Sequence, residues 1–371
     1  MPPRVSTGSG AGRGQGMARI LIPAAPDLKG EVRNSFAPGF RDALRCARNG
    51  WLYFSRAWSS VHVLPYFPFE QDAYAMALGV RALRPGETLI EIDAAHYRAE
   101  LALKASLLRE DPSARFQAQP GTEPQQWEVL RLLLSRMAEE TPESFTLRAG
   151  EDGRWHWHNR LTDASATFTP GQGDDLPWAP LDWVGRQVQE DLLVLDGTRE
   201  GYPLIAGQLC FPSGWSLGEK LGKSLLAVHA PVPGFAEQMG RGTLKLLEGL
   251  KPGRPVTRCN WAVTVTDRLC MEPRYFSEWR HLFEGLTPDN AGERCFLRLE
   301  RQTLSRLPET GAILFTLHTY VAPVAGEVPT PERRRRLARV LGTVPEDLSG
   351  YKRLGPLREP LLAYLTRPEA C

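Results

Sequence analysis

The sequence predicts an α+β protein: a mostly antiparallel sheet flanked by helices, with helical extensions at both ends. Two observations lead there. Short alternating runs separated by turn residues over 144–168 read as a meander of strands. Helical and strand patterns elsewhere do not alternate strictly, which argues against a doubly wound parallel sheet.

Taken in order, Ala73, Met76, Ala77, Val80 and Leu83 recur at helical spacing, so residues 71–83 are expected to form an amphipathic helix ended by Pro85-Gly86. A short strand over 88–92 and helices over 94–110 and 125–139 follow, the last carrying Trp127, Val129, Leu130, Leu133 and Met137 on one face. Strands are expected at 144–147, 155–157 and 166–168, with Gly153 and Asn159 supplying turn chemistry. Residues 183–195 read as a helix passing into an apolar segment, and 204–211 as a strand. Further strands are expected at 259–265, 296–302 and 312–319, and a basic helix at 331–341. Its ERRRR run reads as a solvated face, with an acidic docking partner as the lesser reading.

A net charge of +2 offers no global field for nucleic acid or an anionic membrane, so charged ligands must be read locally. No apolar run approaches the roughly 20 residues of a membrane-spanning helix. Residues 1–16 lack the apolar stretch of a secretory signal and read as a disordered leader. The six cysteines, Cys46, Cys210, Cys259, Cys270, Cys295 and Cys371, include no CxxC pair. That scatter fits a reducing, cytoplasmic setting and argues against a structural zinc or an iron–sulfur cluster.

Special residues concentrate in 208–235, QLCFPSGWSLGEKLGKSLLAVHAPVPGF. Pro212 should end the preceding strand. Ser216 and Glu219 have capping-box spacing ahead of a helix expected over 217–225, which would carry Lys220 and Lys223 on one side. Pro231 should hold Ala230 extended, and Pro233-Gly234 signals a type II turn. His229 is therefore expected on a stiff, extended backbone. Such a histidine is either a satisfied core residue or a neutral imidazole presented to a metal.

Gly214-Trp215-Ser216-Leu217-Gly218 also matches the GxSxG elbow of serine hydrolases. Pro212 intrudes where that strand should run, no HGGG-type loop lies upstream, and the element order is wrong for a parallel sheet. His156 and His158 share one face of a strand, but two ligands without a nearby acid make a weak metal site.

Residues 210–235 resemble the signature of the haem-dependent oxidative N-demethylase alpha-subunit-like family. YFPFEQDAYAMALGVRAL (66–83), VQEDLLVL (188–195), CNWAV (259–263) and LRLERQTLSRLPETGAILFTLHTYV (297–321) extend the resemblance in the same order. It implies a PAS-like α+β fold around haem b. It also implies oxidative removal of a methyl group from a small, dimethylamine-like secondary amine, with O₂ consumed and formaldehyde released. Electrons would come from NADPH through a separate flavin and iron–sulfur subunit. On that reading the chain divides into a leader (1–17), a helical N-terminal extension (18–140), a PAS-like haem-binding core (141–325) and a helical tail (326–371).

Carried onto this chain, the resemblance makes His229 the expected axial ligand. His318 is the rival and the Cys210 thiolate a further alternative. Lys220, Lys223, Arg298 and Arg301 are candidate partners of the haem propionates. Asn260 and Trp261 are candidates for a distal hydrogen bond and an apolar wall. Glu219 and Glu300 are candidate carboxylates for an ammonium substrate. A non-catalytic haem sensor of the same fold is the alternative reading.

Overall fold

The computed structural model describes residues 64–368, so the expected leader and residues up to 63 lie outside the described part. Among the described residues ten strands form two sheets: β1 (Arg81–Ala82), β2 (Phe116–Ala118), β3 (Phe145–Ala149), β4 (Trp155–Asn159), β5 (Ala164–Phe168), β6 (Asp191–Leu195), β7 (Leu204–Gln208), β8 (Val256–Thr264), β9 (Phe296–Arg306) and β10 (Ile313–Pro323). The seven-stranded sheet runs β1-β8-β9-β10-β6-β7-β2, and each of its neighbouring pairs is antiparallel. The expected meander forms a separate sheet, β3-β4-β5.

The α+β, mostly antiparallel expectation therefore holds. The boundary expected at 140/141 is not a break in the large sheet, because β1 and β2 belong to it.

Both faces of the large sheet are covered. Helices α1 (Tyr97–Glu110) and α2 (Glu123–Glu140) pack on one face through Leu101, Leu130 and Leu133 against Leu192, Val194 and Leu314. Helices α4 (Pro331–Gly342) and α5 (Gly355–Leu365) bury Leu337, Leu341 and Leu361 with Leu297 and Leu299 of β9. Helix α3 (Arg241–Gly249) and the short helices Leu217–Lys220 and Leu225–His229 lie in the crossover between β7 and β8. Leu217, Leu225 and Leu247 cluster with Leu193, Leu304 and Leu317.

The helix expected over 71–83 does not form. Those residues are extended: Tyr74, Met76, Leu78 and Val80 are half-buried and alternate with exposed neighbours, and β1 then pairs with β8. Met76 and Val80 also fit a period of two with Tyr74 and Leu78, while Ala73 and Ala77 of the expected helical face are exposed; Gly79 adopts φ +58°, which breaks a helix. The strand expected over 88–92 is also absent. Side chains replace a partner strand there: Leu89 N–H donates to Glu140 Oε2 at 2.9 Å and Glu91 N–H to Glu190 Oε1 at 2.8 Å.

The helix expected over 217–225 divides in two around Gly222, whose φ is +79°. Ser216 makes no capping bond, so the expected capping box with Glu219 does not form. The basic residues of α4 are largely engaged: Arg333 lies over Phe67, Arg334 donates to the Tyr364 carbonyl, and Arg336 and Arg339 face Asp72.

Candidate functional site

A cavity of about 680 Å³ lies against the sheet face that carries Arg298, Glu300, Gln302 and Leu304. Strand alternation puts these four on one face and Leu297, Leu299, Arg301 and Thr303 on the other. Register extends the cavity face to Arg258 opposite Gln302 and Asn260 opposite Glu300 on β8. On β10 it extends to Leu317 opposite Gln302 and Phe315 opposite Leu304. The crossover supplies the far wall, with Trp215, Lys220, Leu225, His229 and Phe235 among its lining residues. Tyr351, Lys352 and Arg353, just before α5, line it as well.

His229 is the last residue of a helical turn, and Ala230 is itself helical (φ −52°, ψ −33°). This corrects the expected extended backbone: the bias imposed by Pro231 is a preference that local packing overrides. Ser224 caps that turn through Ala227 N–H. The turn brings the Leu225 carbonyl under the imidazole, where Nδ1 lies 2.9 Å from it. Phe235 stacks on the ring at 4.2 Å and 9°. Gly234 at φ +71° makes the turn, expected from Pro233-Gly234, that leads into Phe235.

Burial lowers the His229 pKa, the Leu225 hydrogen bond opposes this, and Lys220 and Arg258 add to the lowering. The ring is thus neutral near pH 7. Nδ1–H is assigned as the donor to Leu225, which leaves Nε2 with its lone pair and no hydrogen bond to a described residue. Fixing one ring nitrogen on a carbonyl and leaving the other open is how proteins orient a metal-binding imidazole.

The cavity is polarised. Leu193, Leu195, Leu204, Leu304, Phe315 and Leu317 make one part apolar. At the β8–β9 end four side chains form a polar quartet. Asn260 Nδ2 donates to Glu300 Oε2 at 3.3 Å, Gln302 Nε2 donates to the same oxygen at 3.0 Å, and Arg258 donates to Gln302 Oε1 at 3.3 Å. Lys352 Nζ donates to the Trp261 carbonyl at 3.1 Å and lies 5.1 Å over the indole. Burial pushes the Lys352 pKa down to about 8, with Glu300 opposing and Arg258 reinforcing. Trp261, opposite Leu299 in register, is edge-on to Phe69 and Tyr74.

The predicted site residues divide accordingly. His229, Lys220, Asn260, Trp261, Arg298 and Glu300 line the cavity. Glu219 and Lys223 do not; both are exposed on the outer side of the crossover. Lys220 spends its ammonium on the Val228 carbonyl at 2.5 Å.

Arg298 reaches the cavity wall, but its guanidinium is an internal tie. It donates to the carbonyls of Phe211 (2.6 Å), Leu269 (2.9 Å) and Arg268 (3.3 Å). Arg301 lies on the opposite face, donating to the carbonyls of Thr88 and Leu89 and paired with Glu91.

His318 stands opposite Arg301 in register and shares its face, away from the cavity. It is buried against Glu190, with Nδ1 3.2 Å from Oε1, and stacks on Tyr320. That removes it as a rival ligand to His229 in this cavity. Cys210 is buried outside the cavity, and burial pushes its thiol far above its ordinary range, so it is no thiolate.

Ser216 stands between β7, a strand of an antiparallel sheet, and the short helix Leu217–Lys220, with no histidine bonded to it among the described residues, so they show no serine-hydrolase geometry. His156 and His158 bond Thr167 and Ser165 across β5. No cluster of three or more potential metal ligands occurs among the described residues.

Arg258, Gln302 and Lys352 were not singled out from the sequence. A signal existed for Gln302: Arg298, Glu300 and Gln302 share one parity, with Leu297 and Leu299 on the other, on a strand long enough to be central. A polar stripe on a buried strand marks a cavity, because burying polar groups costs free energy unless something is there to meet them.

Fold and cavity together define an α+β protein with a sheet-backed, polarised cavity and one oriented, open imidazole. The chain belongs to the haem-dependent oxidative N-demethylase, alpha subunit-like family, whose model matches residues 79–362. The family's description names a haem-dependent activity and an alpha subunit. Among the described residues no helix is long and apolar enough to cross a membrane.

Proposed function

We propose that this chain is the haem-binding subunit of an oxidative N-demethylase. It would hold haem b on His229 and act on a small N-methyl secondary amine such as dimethylamine. The observation that carries this reading is the His229 imidazole, neutral, pinned at Nδ1 and open at Nε2 inside a cavity.

The residues present fit the group. The volume lies within the roughly 300–1,000 Å³ of cofactor pockets. An apolar part suits a porphyrin face, and a polar end suits its carboxylates. The strand order also supports a PAS-like description: the hairpin β6–β7, a helical crossover, then β8–β9–β10 with β10 returning beside β6.

When bound, haem supplies the activation of O₂ needed to oxidise an N-methyl group to formaldehyde. The chain's own residues position and shield. Leu304, Phe315 and Leu317 exclude water from the cavity wall. Glu300, held by Asn260 and Gln302, is the carboxylate on the wall that would meet a substrate ammonium, and Asn260 the side chain that would offer a hydrogen bond. Trp261 would serve as an apolar wall. A separate flavin and iron–sulfur reductase using NADPH would supply the electrons, and the cytoplasm is the compartment this implies.

The test is an absorbance spectrum of the purified protein and of His229→Ala, followed by formaldehyde assay with dimethylamine and a reductase system. Wild type should show a Soret band that is shifted or lost in the variant. A wild type reconstituted with haem that shows no Soret band sinks the reading. A Soret band and gas binding without formaldehyde would make it a sensor instead.

A further inference from the structure

The geometry points to Arg258 and Lys352 as a carboxylate clamp at the polar end of the cavity. This deepens the haem reading above and rests on it only for the identity of one possible ligand.

Other cations on the cavity wall are already committed. Arg298 is spent on backbone carbonyls, and Arg353 lies over the rings of Phe276 (4.2 Å) and Trp279 (5.9 Å); Lys220 bonds the Val228 carbonyl on the crossover, beside Lys223 and Glu219 rather than beside Arg258. The one buried carboxylate among the lining residues, Glu300, is saturated on Oε2 by Asn260 and Gln302, with Arg298 Nε 3.7 Å from Oε1.

Arg258 is different. Its guanidinium makes one long contact, from Nη1 to Gln302, against four hydrogen bonds for Arg298, and its Nε, like that of Arg298, is buried without a hydrogen-bond partner. Lys352 makes one bond to the Trp261 carbonyl, so the three-donor ammonium keeps capacity to spare. The two cations on one cavity wall repel each other, Glu300 offsets part of that charge, and a bound anion relieves the rest. Arg258 offers a planar fork and Lys352 a point charge, a combination suited to a carboxylate.

A carboxylate could reach this clamp from two sources: a haem propionate, or an acid group on the substrate, as in N-methylglycine. Two titrations separate them. In the first, apo-protein is titrated with haem and with haem dimethyl ester. In the second, N-methylglycine and dimethylamine are titrated calorimetrically, into holo- and apo-protein. Each is run on wild type, Arg258→Met and Lys352→Met, with circular dichroism to confirm folding.

One carboxylate ligand should lose about tenfold to a hundredfold in affinity in both variants, while its uncharged or carboxylate-free counterpart does not. Loss for haem but not the ester assigns the propionate. Loss for N-methylglycine but not dimethylamine assigns the substrate. If Arg258→Met fails to fold, Arg258→Lys takes its place and should retain part of the affinity. Affinities that move equally for ligand and counterpart, or do not move, overturn the clamp. Should wild type bind no haem, the proposed function falls. N-methylglycine binding to apo-protein then decides the clamp by itself: loss in the variants supports it, and no binding or no change overturns it.

Discussion

Replacing Arg298 with methionine separates an internal tie from a ligand anchor. In the fold its guanidinium donates to the carbonyls of Phe211, Leu269 and Arg268 and to Thr319 Oγ1, and it is almost fully buried at 1% exposure. Methionine fills much of the stem's space but donates nothing. Each buried acceptor left without a partner costs about 1–3 kcal/mol, less where the chain relaxes or water enters. Glu300 also loses the cation 3.7 Å away. Breaking a buried charge arrangement of this kind costs about 3–5 kcal/mol, which we take as the expected loss. Against a typical total of about 5–15 kcal/mol that is large. Urea unfolding followed by circular dichroism measures it, with haem affinity determined separately on the folded fraction. A loss below about 1 kcal/mol together with collapsed haem affinity would refute the reasoning, because the guanidinium would then have been free to serve a ligand.

Three further outcomes follow from the same packing. Burial alone would lower the His318 pKa, but Glu190 raises it above the ordinary 6.5; burial alone would raise Glu190, but His318 draws it below the ordinary 4.5. The histidine's contribution is full below pH 6.5 and fades as pH rises through the raised value; the carboxylate's is present above pH 4.5 and is lost on acidification through the depressed value. His318→Gln should therefore cost about 3–5 kcal/mol near pH 6 and less in alkali, and urea midpoints that fall equally at both pH values would contradict this. Gly292→Ala should cost about 1–3 kcal/mol in the same assay, since an added Cβ would lie 2.2 Å from the Tyr364 ring; an unchanged midpoint would mean that the ring moves freely. Ser216→Ala should change stability by less than about 0.5 kcal/mol and leave formaldehyde release intact, because the hydroxyl caps nothing; labelling of Ser216 by a fluorophosphonate would revive the hydrolase reading.

Much of this arrangement was legible in the amino-acid order. The long strands β8, β9 and β10, helices α1, α2 and α4, and the β3–β5 meander all fall where periodicity and turn residues put them. These signals are local, so a sequence carries them whole. His229 was legible for a related reason: the prolines and glycines around it mark a backbone shaped for one side chain. Its conformation was not. Neighbouring packing set the helical turn that slides the Leu225 carbonyl under the ring.

Tertiary structure alone decided which charged residues meet. Arg298 and Arg301 are three apart on one strand, yet alternation sends one to the cavity wall and the other to the opposite face. The same parity turns His318 away from the cavity that His229 lines. Register between β8 and β9 sets Arg258 opposite Gln302, and a segment about a hundred residues further on brings in Lys352. The extended course of 71–83 was decided in the same way. Met76 and Val80 satisfy both periods, and pairing of Arg81 with Thr257 resolves the choice. Periodicity acts within a few residues and is written in order along the chain. Register, strand parity and crossover geometry join distant segments, so they exist only once the sheet has closed around its cavity.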